Sequence, residues 1–194
     1  MFRLGILFLL AWGTAANLTA QRYNFKFYGE DEGLQNLAVQ VVLQDRSGFL
    51  WVGTQNGLYR YDGNRFTRFG KLEGIEGTRV ESLHETSRGD LWVATEAGLA
   101  RGVKNKFNPV VLGVARSVTG RQGIASDHSG RVYIGTERGL VTGSLSAEGM
   151  KFALQPLEQG TNREVASVYA DAAGVVWYGC GMTLCRLENG HAQE

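Results

Sequence analysis

Gly48-Phe49-Leu50-Trp51-Val52-Gly53-Thr54 is followed at once by Gln55-Asn56-Gly57-Leu58. The chain writes that sentence again as Gly89-Asp90-Leu91-Trp92-Val93-Ala94-Thr95, then as Gly130-Arg131-Val132-Tyr133-Ile134-Gly135-Thr136, then as Gly174-Val175-Val176-Trp177-Tyr178-Gly179-Cys180. The leading glycines are spaced by 41, 41 and 44 residues. A period near 40 with strand-like content is the signature of propeller blades, each a sheet of four strands.

The first unit can be read strand by strand. Val39 to Gln44 reads as an inner strand packed on both faces. Asp45-Arg46-Ser47-Gly48 is a turn, because Asp bonds its own backbone and Gly adopts positive φ freely. Leu50–Thr54 is the second strand, Gln55-Asn56-Gly57 a second turn, and Leu58–Tyr61 the third strand. After Asp62-Gly63-Asn64, the alternating Arg65–Phe69 reads as an exposed outer strand. The turn Asp recurs as Thr86, Asp127 and Asp171. A large aromatic at one fixed phase per unit fills the wedge between neighbouring blades, so the row Trp51, Trp92, Tyr133, Trp177 reads as core. The fold class is therefore all-β, with about four blades over residues 34–70, 77–112, 119–157 and 163–194.

The stretch GLQNLAVQVVLQDRSGFLWVGTQNGLYRYDGNRFTRF resembles the two-component regulator propeller repeat. The resemblance runs from Leu34 to about Gly190. It is weakest in the third unit, where Arg121-Gln122-Gly123 interrupts the first strand. It implies the extracytoplasmic sensor region of a membrane-bound regulator whose cytoplasmic part is a histidine kinase or a diguanylate cyclase. It also implies a large propeller, of which this chain is the N-terminal piece. The alternative is a four-bladed ring. In the fourth unit the outer strand is missing or barely begun, and Tyr23–Tyr28 would then close the ring as the outer strand of the last blade.

Composition agrees with export. Residues 1–20 have one Arg, an apolar run from Leu4 to Trp12 and small residues after it, the layout of a secretory signal peptide. The run is shorter than the ~20 residues a membrane-spanning helix needs. Removing it takes away Arg3 and no acid, leaving 19 basic and 19 acidic side chains. There is no basic stripe for a nucleic acid. The chain is 43% apolar and 20% charged, which suffices for a packed core.

Cys180 and Cys185 are the two cysteines. They fall on opposite arms of one hairpin, at the phases of Thr54 and Tyr59. A disulfide is the expected state in an oxidising compartment. A free buried pair is the alternative, and a metal site lacks ligands. His84, His128 and His191 are scattered, and each reads as solvated or locally satisfied. No Ser/His/Asp grouping, paired carboxylate or phosphate loop stands out, so no cofactor and no catalysis are expected.

Propellers bind at one end of their channel, on loops. Two loop sets vary between units while the skeleton does not. One precedes each inner strand: Gln35-Asn36, Thr78-Arg79, Arg121-Gln122 and Asn162-Arg163. The other joins second and third strands: Gln55-Asn56, Glu96, Glu137-Arg138 and Gly181-Met182. The candidate ligand-binding residues are Asn36, Gln55, Asn56, Arg79, Glu96, Arg121, Glu137, Arg138 and Arg163. Their chemistry suits a small molecule such as a carbohydrate or a carboxylate. A partner domain, and dimerisation through a larger parent protein, are the other expected associations. An exported propeller enzyme of lyase or glycosidase type, or a structural interaction propeller, are the competing functions.

Overall fold

The structure, a computed structural model, describes residues 24–147, 149–157 and 163–194. The signal-peptide segment, Tyr23 and Asn162 lie outside these residues. Among these described residues, sixteen strands form four antiparallel sheets. Blade 1 contains β1 (Val39–Gln44), β2 (Leu50–Thr54), β3 (Gly57–Tyr61) and β4 (Phe66–Phe69). Blade 2 contains β5 (Val80–Glu85), β6 (Leu91–Thr95), β7 (Gly98–Val103) and β8 (Lys106–Val110). Blade 3 contains β9 (Ile124–Ser126), β10 (Val132–Thr136), β11 (Gly139–Ser146) and β12 (Gly149–Leu154). Blade 4 contains β13 (Val168–Ala170), β14 (Val176–Cys180), β15 (Thr183–Glu188) and β16 (His191–Gln193). In every blade the strands follow chain order.

The turn Asp does more than turn the chain. Asp45 accepts from the Phe49 amide at 3.0 Å and from the Trp51 indole Nε1 at 2.8 Å. Asp171 accepts from Trp177 Nε1 at 3.1 Å, and Asp127 from the Tyr133 hydroxyl at 2.9 Å. So one carboxylate closes the turn and fixes the ring that packs between blades. The following Thr acts at the other end of the strand. Thr54 and Thr136 each donate from Oγ1 to the carbonyl three residues on, at 3.0 and 2.6 Å, tightening the second turn.

Packing runs from one blade to the next in a fixed sense. The aromatic face of blade 1 (Trp51, Leu58, Phe69) packs on the aliphatic face of blade 2 (Val80, Leu83, Val93). Trp92 and Leu99 of blade 2 then pack on Ile124, Val132 and Ile134 of blade 3. Tyr133 and Leu140 of blade 3 pack on Val168, Val176 and Tyr178 of blade 4. Each such buried side chain contributes about 1.5–3 kcal/mol. Neither end face has a neighbouring blade among the described residues, though Leu34 covers Val52, Tyr59 and Phe66 of blade 1. The inner-strand aliphatic is 53% exposed at Val42, against 7%, 5% and 6% at Leu83, Ile124 and Val168. On the aromatic face of blade 4, Tyr169 is 65% and Leu184 63% exposed.

Three local readings differ from the sequence expectation. Blade 4 has its outer strand: β16 pairs Ala192 with Leu187 and Gln193 with Arg186. The outer strand of blade 1 is not exposed throughout, since Phe66 and Phe69 are both buried on opposite faces. Residues 24–28 form no strand and take no place in the fourth sheet. Instead Tyr28 to Leu34 lie on blade 1 as Phe69 to Ile75 lie on blade 2. The short 3-10 turns Glu30–Glu32 and Lys71–Glu73 have the same frame, with Glu32 accepting from the Gly29 amide at 2.8 Å and Glu73 from the Gly70 amide at 2.7 Å. Tyr28 stands edge-on to Phe66 at 5.9 Å, as Phe69 stands to Phe107 at 6.1 Å. This close approach is why the second frame ends in Gly74. Its φ is 96°, and a Cβ there would lie 2.0 Å from the Phe107 carbonyl oxygen.

Candidate functional site

The antiparallel register puts both candidate loop sets at one end of the blades. The start of β1 pairs with the end of β2, Val39 opposite Thr54, and blade 2 repeats this with Val80 opposite Thr95. The backbone closes the same end, with Gln55 donating to the Ala38 carbonyl and Gly181 to that of Glu164, each at 3.1 Å.

Most of the nine candidates already have partners there. Asn36 accepts from the Ala38 amide at 3.1 Å, an Asx turn. Asn56 accepts from Arg68 at 3.4 Å. Glu96 takes the Thr78 and Arg79 amides at 2.9 and 2.8 Å, and Glu137 takes the Arg116 and Ser117 amides at 2.8 and 3.1 Å. These two carboxylates clamp the loop that enters the inner strand. Desolvation works to raise both carboxyls, and the amides outweigh it, holding each below the usual Glu range. Arg79 pairs with Glu81 at 2.9 Å, Arg138 donates to the Val114 carbonyl at 3.0 Å, and Arg163 lies 3.6 Å from Glu194. Gln55 is exposed, with its backbone amide engaged and no side-chain hydrogen bond among the described residues.

A feature absent from the sequence reading organises this rim. The register of β1 with β2 slips by one residue at Gln40, and that of β5 with β6 slips at Glu81. Such bulges re-aim a side chain and cluster at functional sites. Blade 3 inserts more at the same place. Val118 pairs with Thr136, and the Gly135 amide then donates to Gly123, so residues 119–122 form an enlarged bulge. From it Arg121 reaches past blade 2 to Gln40 of blade 1, at 3.2 Å. Gln40 and Glu81 thus join Arg79, Arg121 and Gln55 at the inner rim. At the same end, a groove of 530 Å³ opens between blades 1 and 2, with Leu58, Ile75 and Val80 beneath and Arg68, Lys71 and Glu76 at its edge. The arrangement offers planar hydrogen-bonding groups of both charges, which suits a polar, uncharged or weakly acidic ligand.

Cys180 and Cys185 are joined as a disulfide, with Cα atoms 5.8 Å apart. They sit diagonally across the hairpin, Cys180 opposite Thr183 and Cys185 opposite Tyr178. The bond braces the turn of the second loop set in blade 4. His84 is locally satisfied: it is half-buried, with Nε2 2.8 Å from Ser126 Oγ on the neighbouring inner strand. Burial lowers its pKa to about 4. Among the described residues no group of three His, Cys, Asp or Glu side chains is placed to hold a metal ion. None of their helices is long and apolar enough to cross a membrane.

Residues 33–56, which span β1, the Asp45 turn and β2, match the two-component regulator propeller family. Blade 1 thus carries a two-component regulator propeller repeat. A histidine kinase of Formosa agariphila is 43% identical over 54 residues, which is 27% of this chain and 4% of that kinase. The extracellular domain of a one-component system of B. thetaiotaomicron superposes with a TM-score of 0.58 at 20% identity, covering 78% of this chain and 24% of that one. A virginiamycin B lyase from Staphylococcus aureus superposes with a TM-score of 0.60 at 12% identity, covering 81% of this chain and 54% of that one. The two superpositions show the propeller fold alone. The chain spans only a small part of the kinase and about a quarter of the extracellular domain.

Proposed function

We propose that this chain is part of the extracytoplasmic sensor propeller of a two-component regulator, exported by residues 1–20. It binds a polar ligand, such as a carbohydrate or a small acid, at the inner rim and does not transform it. The output domain would be a histidine kinase or a diguanylate cyclase, and signalling would run through a dimer of the full protein. The observation that carries this reading is the repeat match over residues 33–56, which falls on the strands and turn that build blade 1. The kinase similarity extends it. The exposed inner-strand positions Val42 and Tyr169 fit an arc within a larger ring, because the aliphatic equivalents of Val42 are buried in the other blades.

The test is a thermal-shift screen of the exported chain against oligosaccharides and organic acids, followed by product analysis of each hit. A true ligand at 100-fold its Kd should stabilise by about 2.7 kcal/mol. It should lose that effect in Arg121→Ala and in Gln40→Ala. A hit that is chemically converted would replace sensing with catalysis. A screen with no stabilising compound would refute small-molecule sensing at this rim.

A further inference from the structure

Residues 24–34 repeat residues 65–75 at an offset of 41, the spacing that separates Gly48 from Gly89. Phe25 falls on Phe66, Tyr28 on Phe69, Gly29 on Gly70, Glu32 on Glu73, Gly33 on Gly74 and Leu34 on Ile75. The structure repeats with the sequence. Gly33 and Gly74 end their turns in the left-handed region, at φ 91° and 96°. A Cβ on Gly33 would lie 2.8 Å from the Phe66 carbonyl oxygen, at the phase where one on Gly74 would meet that of Phe107. Leu34 is buried with Val52, Tyr59 and Phe66, and Ile75 with Val93, Ala100 and Phe107. Those two sets are again related by the offset of 41.

In blade 1 this frame begins with the outer strand β4, and residues 24–28 hold the same place ahead of blade 1. Half of their packing is made. Tyr28 stands on blade 1, its ring 5.1 Å from Tyr61 and 5.9 Å from Phe66. The other half differs. Phe66 is 5% exposed, packed on the second and third strands of its own blade, whereas Phe25 is 82% exposed. On the side of blade 1 where a preceding blade would pack, Val39 and Val42 are exposed, and their blade 2 equivalents Val80 and Leu83 are buried under blade 1. Each of the four described blades already has its outer strand. In blade 4, Ala192 opposite Leu187 holds the phase that Phe66 opposite Tyr61 holds in blade 1. The strand therefore belongs to a further blade.

We propose that Asn24–Tyr28 is the outer strand of the ring's last blade, whose three inner strands come from the same polypeptide beyond Glu194. This rests on the reading of the chain as part of a larger propeller, and it adds how that ring closes. Backbone pairing supplies the affinity, and the pocket for Phe25 supplies the register. In blade 1, Leu58 opposes Phe69 and Tyr61 opposes Phe66. Tyr28 should thus oppose the position that Leu58 holds, and Phe25 the position of Tyr61. The Asp62 amide donates to the Arg65 carbonyl, and bonded pairs alternate along an antiparallel ladder. The amides of Thr67 and Phe69 therefore point at β3. By the same phase, the amides of Lys26 and Tyr28 point into the closing blade, and those of Phe25 and Phe27 point outward.

The test is hydrogen–deuterium exchange, read residue by residue by mass spectrometry, on the full-length protein and on the chain ending at Glu194. In the full-length protein the Lys26 and Tyr28 amides should exchange on the order of 100-fold more slowly than in the shorter chain, with Phe25 and Phe27 remaining faster. Phe25→Ala should lower the Tm of the full-length propeller and leave that of the shorter chain unchanged. Equal exchange of Lys26 and Tyr28 in both proteins, with further repeats and an output domain present, would overturn the closure and leave the sensor reading standing. Protection that appears in the shorter chain as its concentration rises would also overturn it, assigning the strand to a second copy. A gene that ends at Glu194 would overturn both.

Discussion

Replacing Thr86 by Asp should stabilise the protein, because blade 2 lacks what its three sister blades have. Trp92 is 1% exposed, and its indole Nε1 has no acceptor among the described residues. In blades 1 and 4 the same nitrogen donates to Asp45 and Asp171, at 2.8 and 3.1 Å. Thr86 manages one bond with its side chain, from the Asp90 amide at 3.3 Å. The turn backbone is nevertheless the same. Thr86 and Asp45 each donate to the carbonyl four residues on, at 3.0 and 2.9 Å. A carboxylate at 86 therefore starts from the geometry that reaches the ring.

A buried orphan donor costs about 1–3 kcal/mol, and a bond to a charged acceptor recovers most of it. Against this stand the desolvation of the new carboxylate and its repulsion from Asp90, which Arg101 moderates from 2.6 Å. The net expectation is a gain of about 1 kcal/mol, or about 2–4 °C in Tm for a domain of this size. The mirror change, Asp45→Thr, should cost about 2 kcal/mol by orphaning Trp51. The assay is urea unfolding of both variants, with the Trp92 indole proton followed by NMR. The reasoning fails if Thr86→Asp gains nothing and the indole resonance stays where it is.

Other expectations follow from the same geometry. Gly74→Ala combines a strained φ with a Cβ 2.0 Å from a backbone oxygen, and should cost about 3 kcal/mol or more. Gly63→Ala, at the same φ of 96° with open space around it, should cost about 1 kcal/mol, so similar losses in denaturant melts would refute the clash. His84 is held neutral by burial, its pKa lowered from 6.5 to about 4. Its contribution is thus full above pH 6.5 and is lost as pH falls toward about 4, on the order of 2–3 kcal/mol. His84→Gln, which can keep the Ser126 bond, should flatten the stability profile across that window, and an unchanged profile would count against it. Reducing Cys180–Cys185 opens a loop with a sequence separation of 5, which predicts a loss of about 2 kcal/mol, read as a Tm shift with and without reductant.

The repeat made most of this fold legible, because the skeleton residues are fixed by packing and recur in every blade. Trp51 and Leu58 announce a face, and Asp45 announces the turn that orients it. The candidate site was harder to read. Loop variability pointed to one end of the blades, but variability does not distinguish a free side chain from a clamp. Glu96 and Glu137 vary in surroundings and still serve their own loops. The bulges at Gln40 and Glu81 depend on strand register, which one sequence does not print. The short β16 read as missing or barely begun because His191–Gln193 lacks the paired phenylalanines that mark β4.

The central claim is that these blades are the sensing part of a two-component regulator. The most direct measurement is the reading frame of the gene beyond codon 194. The account predicts further repeats of the same sentence, then a membrane-spanning helix and a histidine kinase or diguanylate cyclase. A stop codon directly after Glu194, or a frame leading into an unrelated catalytic domain, would contradict it.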